Sequence, residues 1–184
     1  MEQTEFSDHR VLLLGARTHN IQLLRSVLTI VGVGRIVQAE DSAAALALLA
    51  IQHFTAIFCA LDPEAQIRFA LAARRRDCML NPMIPIFLLE AQVRRRHVEK
   101  ARDSGATDVL TTPISPKTVA MKLRSATKNP RPFIAAHGFF GPDRRVPSRP
   151  VYCVKDRRKK APRRRAWISS TPENASFSKP QTEC

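Results

Sequence analysis

The sequence predicts an α/β domain, a doubly wound parallel sheet of five βα units over residues 1–128, followed by a largely disordered basic tail over residues 129–184. Three observations carry this expectation. Short continuous apolar runs alternate with stretches of three-to-four apolar spacing, the pattern of strands buried on both faces and of the helices that cover them. The alternation repeats five times before Lys128 and not after it. Residues 129–184 hold eight of the 13 prolines and set 13 Lys and Arg against 4 Asp and Glu, a net charge of +9 against +5 for residues 1–128.

Each unit has its own local reason. Val11 to Leu14 is an apolar run stopped by Gly15, and Thr18 or Asn20 can cap a helix through Ile21, Leu24, Val27, Leu28 and Val31 that ends at Gly32 and Gly34. Arg35 to Ala39 makes the second strand. Asp41 or Ser42 then caps a helix with Ala45, Leu46, Leu48, Leu49 and Ile51 on its face, before a third strand from Ala56 to Leu61. Pro63 opens the third helix, which runs into Arg74-Arg75-Arg76, and Ile84 to Leu89 is the fourth strand. A more polar helix spans Val93 to Asp103 and ends at Gly105. Asp108 to Leu110 is the fifth strand, and Ser115-Pro116 opens the last helix with Val119, Met121 and Leu123. Right-handed crossovers lay such helices over both faces of a parallel sheet, and ligands of such sheets sit at the carboxyl ends of the strands.

The chain has 184 residues and is 44% apolar, enough for one ordinary core with residues left over. A formal charge of +14 makes an anionic partner an open option. Cys59, Cys78, Cys153 and Cys184 form no CxxC pair and have no histidine at zinc spacing, so reduced thiols and no metal are expected. His97 and His137 likewise have no second ligand at metal spacing. No apolar run approaches the ~18 residues of a membrane span, and a cytoplasmic protein is expected.

The stretch Asp103-Ser104-Gly105-Ala106-Thr107-Asp108-Val109-Leu110-Thr111-Thr112-Pro113 closely resembles the segment before the last helix of response-regulator receivers. The likeness extends through Val11 to Leu14, Gln38 to Leu46 and Pro85 to Leu89, and covers roughly residues 9–127. It implies the flavodoxin-like receiver fold, with a cis peptide at Thr112-Pro113. A receiver that accepts a phosphoryl group binds Mg²⁺ through an acid pair after the first strand and carries an aspartate after the third. Here Gly15 and Ala16 stand at the acid pair and Ala60 at the acceptor. Glu90 replaces the hydroxyl residue after the fourth strand, Thr112 the lysine before the proline, and Val109 the aromatic of the fifth strand. Asp62, two residues past Ala60, is displaced by nearly 7 Å along a strand, roughly two residue rises, from where an acceptor belongs. The resemblance therefore implies a degenerate receiver without catalytic residues or cofactors, a pseudo-receiver that docks a protein partner through the fourth helix, fifth strand and fifth helix.

Basic clusters supply the remaining candidates. Arg74-Arg75-Arg76 ends a helix, where the dipole and solvent favour cations; Arg94, Arg95 and Arg96 begin one, where the dipole does not. In the tail, Arg157, Arg158, Arg163, Arg164 and Arg165 lie near Tyr152 and Trp167, a composition that serves phosphate contact and base stacking. It serves equally a solvated tail that attracts anions without selectivity. Phe139 to Arg145 and Tyr152 to Arg158 repeat an aromatic and an Asp-Arg-Arg step, which adds Arg144 and Arg145. Arg131-Pro132-Phe133 followed by Phe140 to Arg145 is similar to the tails of short alphaproteobacterial receiver proteins. That resemblance implies cyclic di-GMP as one possible ligand of the arginine-rich segments, and nucleic acid is the alternative.

Overall fold

The computed structural model describes residues 5–75, 79–92, 94–136 and 138–144, together with the backbone of 166 and 167. Five parallel strands, β1 (Arg10–Leu14), β2 (Arg35–Ala39), β3 (Ala56–Cys59), β4 (Ile86–Glu90) and β5 (Asp108–Thr111), form one sheet in the order β2-β1-β3-β4-β5. Helices α1 (His19–Val31), α2 (Ser42–Ile51), α3 (Pro63–Ala73), α4 (Arg95–Asp103) and α5 (Pro116–Lys128) connect and follow them. This is the flavodoxin-like (βα)5 arrangement, and the predicted elements recur in the predicted order.

The central strands β1, β3 and β4 are almost wholly apolar because both faces are covered, while the edge strands β2 and β5 admit Arg35, Gln38, Asp108 and Thr111. Period-two alternation splits each strand between two cores. Val11 and Leu13 of β1, Ala56 and Phe58 of β3, and Phe87 and Leu89 of β4 pack under α1 and α5. Leu12 and Leu14, Ile57 and Cys59, and Ile86 and Leu88 face α2, α3 and α4. Phe58 and Phe87, paired across β3 and β4, stack with ring centroids 4.9 Å apart.

Helix starts follow sequence signals. Asp41 accepts from the Ala44 N–H at 2.8 Å, Asp62 from Ala65 at 3.0 Å and Ser115 from Thr118 at 3.2 Å, while Pro63 and Pro116 stand in the first turns of α3 and α5. Thr18 is the N-cap of α1 without a side-chain bond, and Arg94 is that of α4, which begins at Arg95 rather than at Val93. Just before β5, Thr107 bonds Ile86 twice: its hydroxyl accepts from the Ile86 N–H at 3.0 Å and its N–H donates to the Ile86 carbonyl at 2.8 Å. The Thr112-Pro113 peptide is cis, as the resemblance implied.

An ion-pair cluster joins the start of the described chain to α5. The Glu5 carboxylate accepts from Arg124 Nε at 2.9 and 3.0 Å and lies 2.7 Å from Lys128 Nζ. Those hydrogen bonds, Arg124 first and Lys128 second, hold its pKa at about 2 against an ordinary 4.5. A carboxyl whose folded pKa is depressed contributes stability above its unfolded value and loses it as pH falls toward the folded one. Between pH 5 and 2 the melting temperature of the wild type should therefore fall more than that of Glu5→Gln; equal slopes would remove the ion pairs from the account.

The expectation of a tail with no packed structure from residue 129 needs correction for residues 133–142. Strands β6 (Phe133–Ala136) and β7 (Phe139–Pro142) form an antiparallel hairpin, and the backbone of β8 (Ala166–Trp167) pairs with the other edge of β6. A two-residue connection closes the hairpin, and Gly138 at φ +76° supplies the left-handed conformation such turns require. The hairpin has no core of its own; it packs on the domain. Phe133 is buried, tilted against Phe140 at 5.4 Å, and its ring lies 5.1 Å from the Arg74 guanidinium carbon. Gly105 and Gly141 meet backbone to backbone: a Cβ on Gly141 would fall 2.8 Å from the Gly105 Cα, and one on Gly105 would fall 2.5 Å from the Phe140 carbonyl oxygen.

Arg74 is the second correction. As the C-cap of α3 it was expected at the solvent, but it is 4% exposed. Its Nε donates to the Gly105 carbonyl at 2.9 Å and its Nη1 to the carbonyls of Pro82 and Ile84 at 2.8 and 2.6 Å. Burial pushes the guanidinium to about 9, so it stays charged at neutral pH. The carbonyls and the Phe133 ring face supply the negative charge that makes this burial tolerable. Arg75 is exposed, and Arg76 lies outside the described residues.

Candidate functional site

The carboxyl ends of β1, β3, β4 and β5 bring Gly15, Ala16, Ala60, Glu90 and Thr112 to one end of the sheet, where the sequence placed them. Gly15 follows β1 and donates its N–H to the Ala39 carbonyl at 2.9 Å; Ala60 follows β3 and donates to Leu14 at 2.8 Å. Gly15 has φ +150°, and a Cβ there would lie 2.9 Å from the Ala60 carbonyl oxygen and 3.1 Å from Ile21 Cδ1. Backbone thus fills the space an acidic side chain at residue 15 would need. Ala16 is exposed and Ala60 half-buried.

Glu90 ends β4, and its carbonyl accepts from the Thr112 N–H at 3.2 Å. Partial burial raises its carboxyl pKa above the ordinary value, against the opposing influence of His97. Asp62 is engaged as the cap of α3, which gives its carboxylate a structural task two residues beyond the acceptor position. Burial pushes the Cys59 thiol up to about 12, so it supplies no thiolate at neutral pH. At the rim Arg17 Nε lies 3.1 Å from Glu40, with both side chains well exposed. Gly15, Ala16 and Ala60 offer no side-chain oxygen to a hard cation at this end of the sheet. Among the described residues no three His, Cys, Asp or Glu gather to hold a metal ion.

Sequence reasoning missed Gln66. It lies on the buried face of α3, and its Nε2 donates to the carbonyls of Leu61 and Leu89 at 2.8 and 2.7 Å, joining the ends of β3 and β4. Only its spacing from Phe69, Ala70 and Ala73 on the same helix face signalled this in the sequence.

The face formed by α4, β5 and α5 is strongly charged. Arg94, Arg95 and Arg96 are all exposed; Arg95 pairs with Glu99 at 3.0 Å, and Lys100 reaches Glu64 of α3 at 2.9 Å. Lys122 of α5 binds Asp108 of β5, and Met121 is 56% exposed. Val109 is half-buried. Among the described residues no helix is long and apolar enough to cross a membrane.

The tail candidates divide. Arg144 stands after β7, where its Nη2 donates to the Ala106 carbonyl, and burial lowers its pKa. It is thus partly committed to holding the hairpin and not simply a free anion contact. Arg145, Arg157, Arg158, Arg163, Arg164 and Arg165 lie outside the described residues, as does the second copy of the repeat, Tyr152 to Arg158.

The sheet order and its five helices are those of response-regulator receivers, and the chain has the receiver fold. The receiver domain of sensor histidine kinase PA1611 from Pseudomonas aeruginosa, crystallised with a magnesium ion coordinated in its active-site cleft, superposes with a TM-score of 0.58 at 19% identity, over 66% of this chain and 98% of that one. The chemotaxis response regulator CheY4 of Vibrio cholerae gives 0.53 at 22% identity, over 63% and 97%. The signal receiver domain of a signal transduction histidine kinase from Syntrophus aciditrophicus gives 0.56 at 17% identity, over 78% and 98%. No protein-family model and no curated protein matches the sequence.

Proposed function

We propose that the chain is a degenerate receiver, a phosphorylation-independent interaction module of two-component-type signal transduction with no catalytic activity of its own. The observation that supports it best is the close approach of Gly15 to the Ala60 carbonyl, which leaves no room for a side chain at residue 15, beside an Ala16 and an Ala60 that carry no carboxylate. A receiver that cannot be charged with phosphate can still present a surface, and the α4-β5-α5 face is the one to use. Arg94 and Arg96, at the start of α4, make no ion pair among the described residues, and Met121 of α5 adds an exposed apolar side chain. An acidic protein surface with an apolar centre is the complement.

Incubation of the protein with a small phosphodonor and Mg²⁺ should leave its intact mass unchanged. A stoichiometric gain of one phosphoryl group on Asp62, or on any other residue of this end, would overturn the reading. For the partner surface, Arg94→Glu with Arg96→Glu should abolish co-purification of the partner while leaving the melting temperature within about 1 °C, since exposed side chains contribute little to stability. The arginine-rich segments offer a second reading, as a contact for cyclic di-GMP or nucleic acid. Titration of the whole chain with cyclic di-GMP, GTP and duplex DNA separates the two: a selective dinucleotide site ignores the competitors, whereas a polyanion contact weakens steeply with salt.

A further inference from the structure

Three arginines far apart in the sequence are carried to one place at the base of the domain, the end opposite Gly15 and Ala60. Arg102 lies in the last turn of α4, Arg131 in the link between α5 and β6, and Arg144 directly after β7. Backbone hydrogen bonds hold their carriers together. The Arg102 carbonyl accepts from the Gly105 N–H at 3.2 Å, the adjoining Ala106 carbonyl accepts from Arg144 Nη2, and the Asp143 N–H donates to Pro132, next to Arg131, at 2.7 Å.

The local charge balance is positive. After burial itself, Arg131 and Arg102 are what lower the pKa of Arg144, with Asp108 and Asp103 opposing them. Asp108 is engaged by Lys122, and Asp103 lies 3.5 Å from Arg102 with both side chains largely exposed, a pair that a better acceptor can displace. The buried Nε of Arg144 has no hydrogen-bond partner among the described residues. A guanidinium that has lost water on one N–H without gaining an acceptor, facing two like charges, is stabilised by an oxyanion placed among the three.

We propose that Arg102, Arg131 and Arg144 form a binding site for a small phosphate-bearing anion, and that the site exists only while the β6–β7 hairpin is docked. Planar guanidinium groups bind pairs of oxygens, and a phosphate or diphosphate group has enough oxygens and charge to serve three of them at once, where a single carboxylate does not. Because Arg144 travels with the hairpin and Arg102 with α4, an anion between them fastens one to the other. Binding and docking are then linked, each favouring the other.

The test uses the full chain and inorganic pyrophosphate, followed by calorimetry and by amide exchange of residues 133–142. The wild type should bind saturably, and exchange across the hairpin should slow. Arg102→Ala and Arg131→Ala should each weaken binding about fivefold while leaving hairpin exchange unchanged in the ligand-free protein. Gly141→Ala keeps every arginine but drives a Cβ to 2.8 Å from the Gly105 Cα, so the hairpin should exchange freely and binding should disappear. Wild-type affinity in a freely exchanging Gly141→Ala would assign the binding to the arginine-rich residues 157–165 and overturn the proposal. So would no saturable binding by the wild type, or two neutral arginine variants. Should Gly141→Ala remain docked, the two arginine variants decide alone.

Discussion

Replacing Arg74 with alanine should destabilise the protein by about 3 kcal/mol, because three carbonyl acceptors lose their donor and the volume of a buried side chain is vacated. For a domain of this size that corresponds to a fall of roughly 10 °C in melting temperature. The loss should be felt in two places at once. The carbonyls of Pro82, Ile84 and Gly105 belong to the domain, and the Phe133 ring belongs to the hairpin, so amide exchange should accelerate across residues 133–142 as well. Lysine should not rescue the variant, since one ammonium on a flexible stem cannot serve three carbonyls and a ring face in a fixed plane. A change below 2 °C would mean that the guanidinium's desolvation cancels everything its bonds contribute. The same contacts set the outcome of truncation: ending the chain at Lys128 should lower the melting temperature of what remains, because it strips Phe133 from Arg74.

The second large effect is expected at Gly15. Introducing aspartate there, as if to restore one member of an acid pair, should cost about 2–4 kcal/mol, since an L side chain meets both a disfavoured positive φ and a backbone oxygen inside van der Waals distance. Ala60→Asp should be much milder, because Ala60 is only half-buried and already carries a Cβ. Combining Gly15→Asp, Ala16→Asp and Ala60→Asp should therefore yield a less stable protein that still takes no label from a phosphodonor. Thermal melts of the single variants beside intact-mass measurement of the triple one check both parts. Labelling of a well-folded triple variant would show that the pocket was closed by side-chain identity alone, without help from the backbone.

The two cores were legible because each strand is a short apolar run whose neighbours cannot reach water. Asp41 or Ser42, Pro63 and Ser115-Pro116 announced their helices through local chemistry at the first turn, although the capping role of Asp62 was not read from the sequence. The positions at the carboxyl ends of the strands followed from the resemblance, whose most specific stretch begins at Asp103. What escaped notice depends on distant partners. Arg74 and Arg75 are the same residue type side by side, and the carbonyls that bury one of them come from residues 82, 84 and 105. The hairpin strands span four residues each, too few for a period to register, and their stability comes from a surface the domain provides. Gly105 could be recognised as a helix terminator, with φ +82°, but its second task of admitting β7 has no local trace.

The docking of β6 and β7 also imposes an order on synthesis. These strands leave the ribosome after all five strands of the sheet, so a nascent chain that has reached α5 holds a complete domain whose Arg74 still lacks its aromatic cover. Until Phe133 and Gly141 arrive, that guanidinium and the Gly105 backbone are open to water and to whatever else the cell offers. The hairpin thus acts as a seal applied after the sheet is complete, and translation stalled short of it would release a molecule that is folded but open at its base.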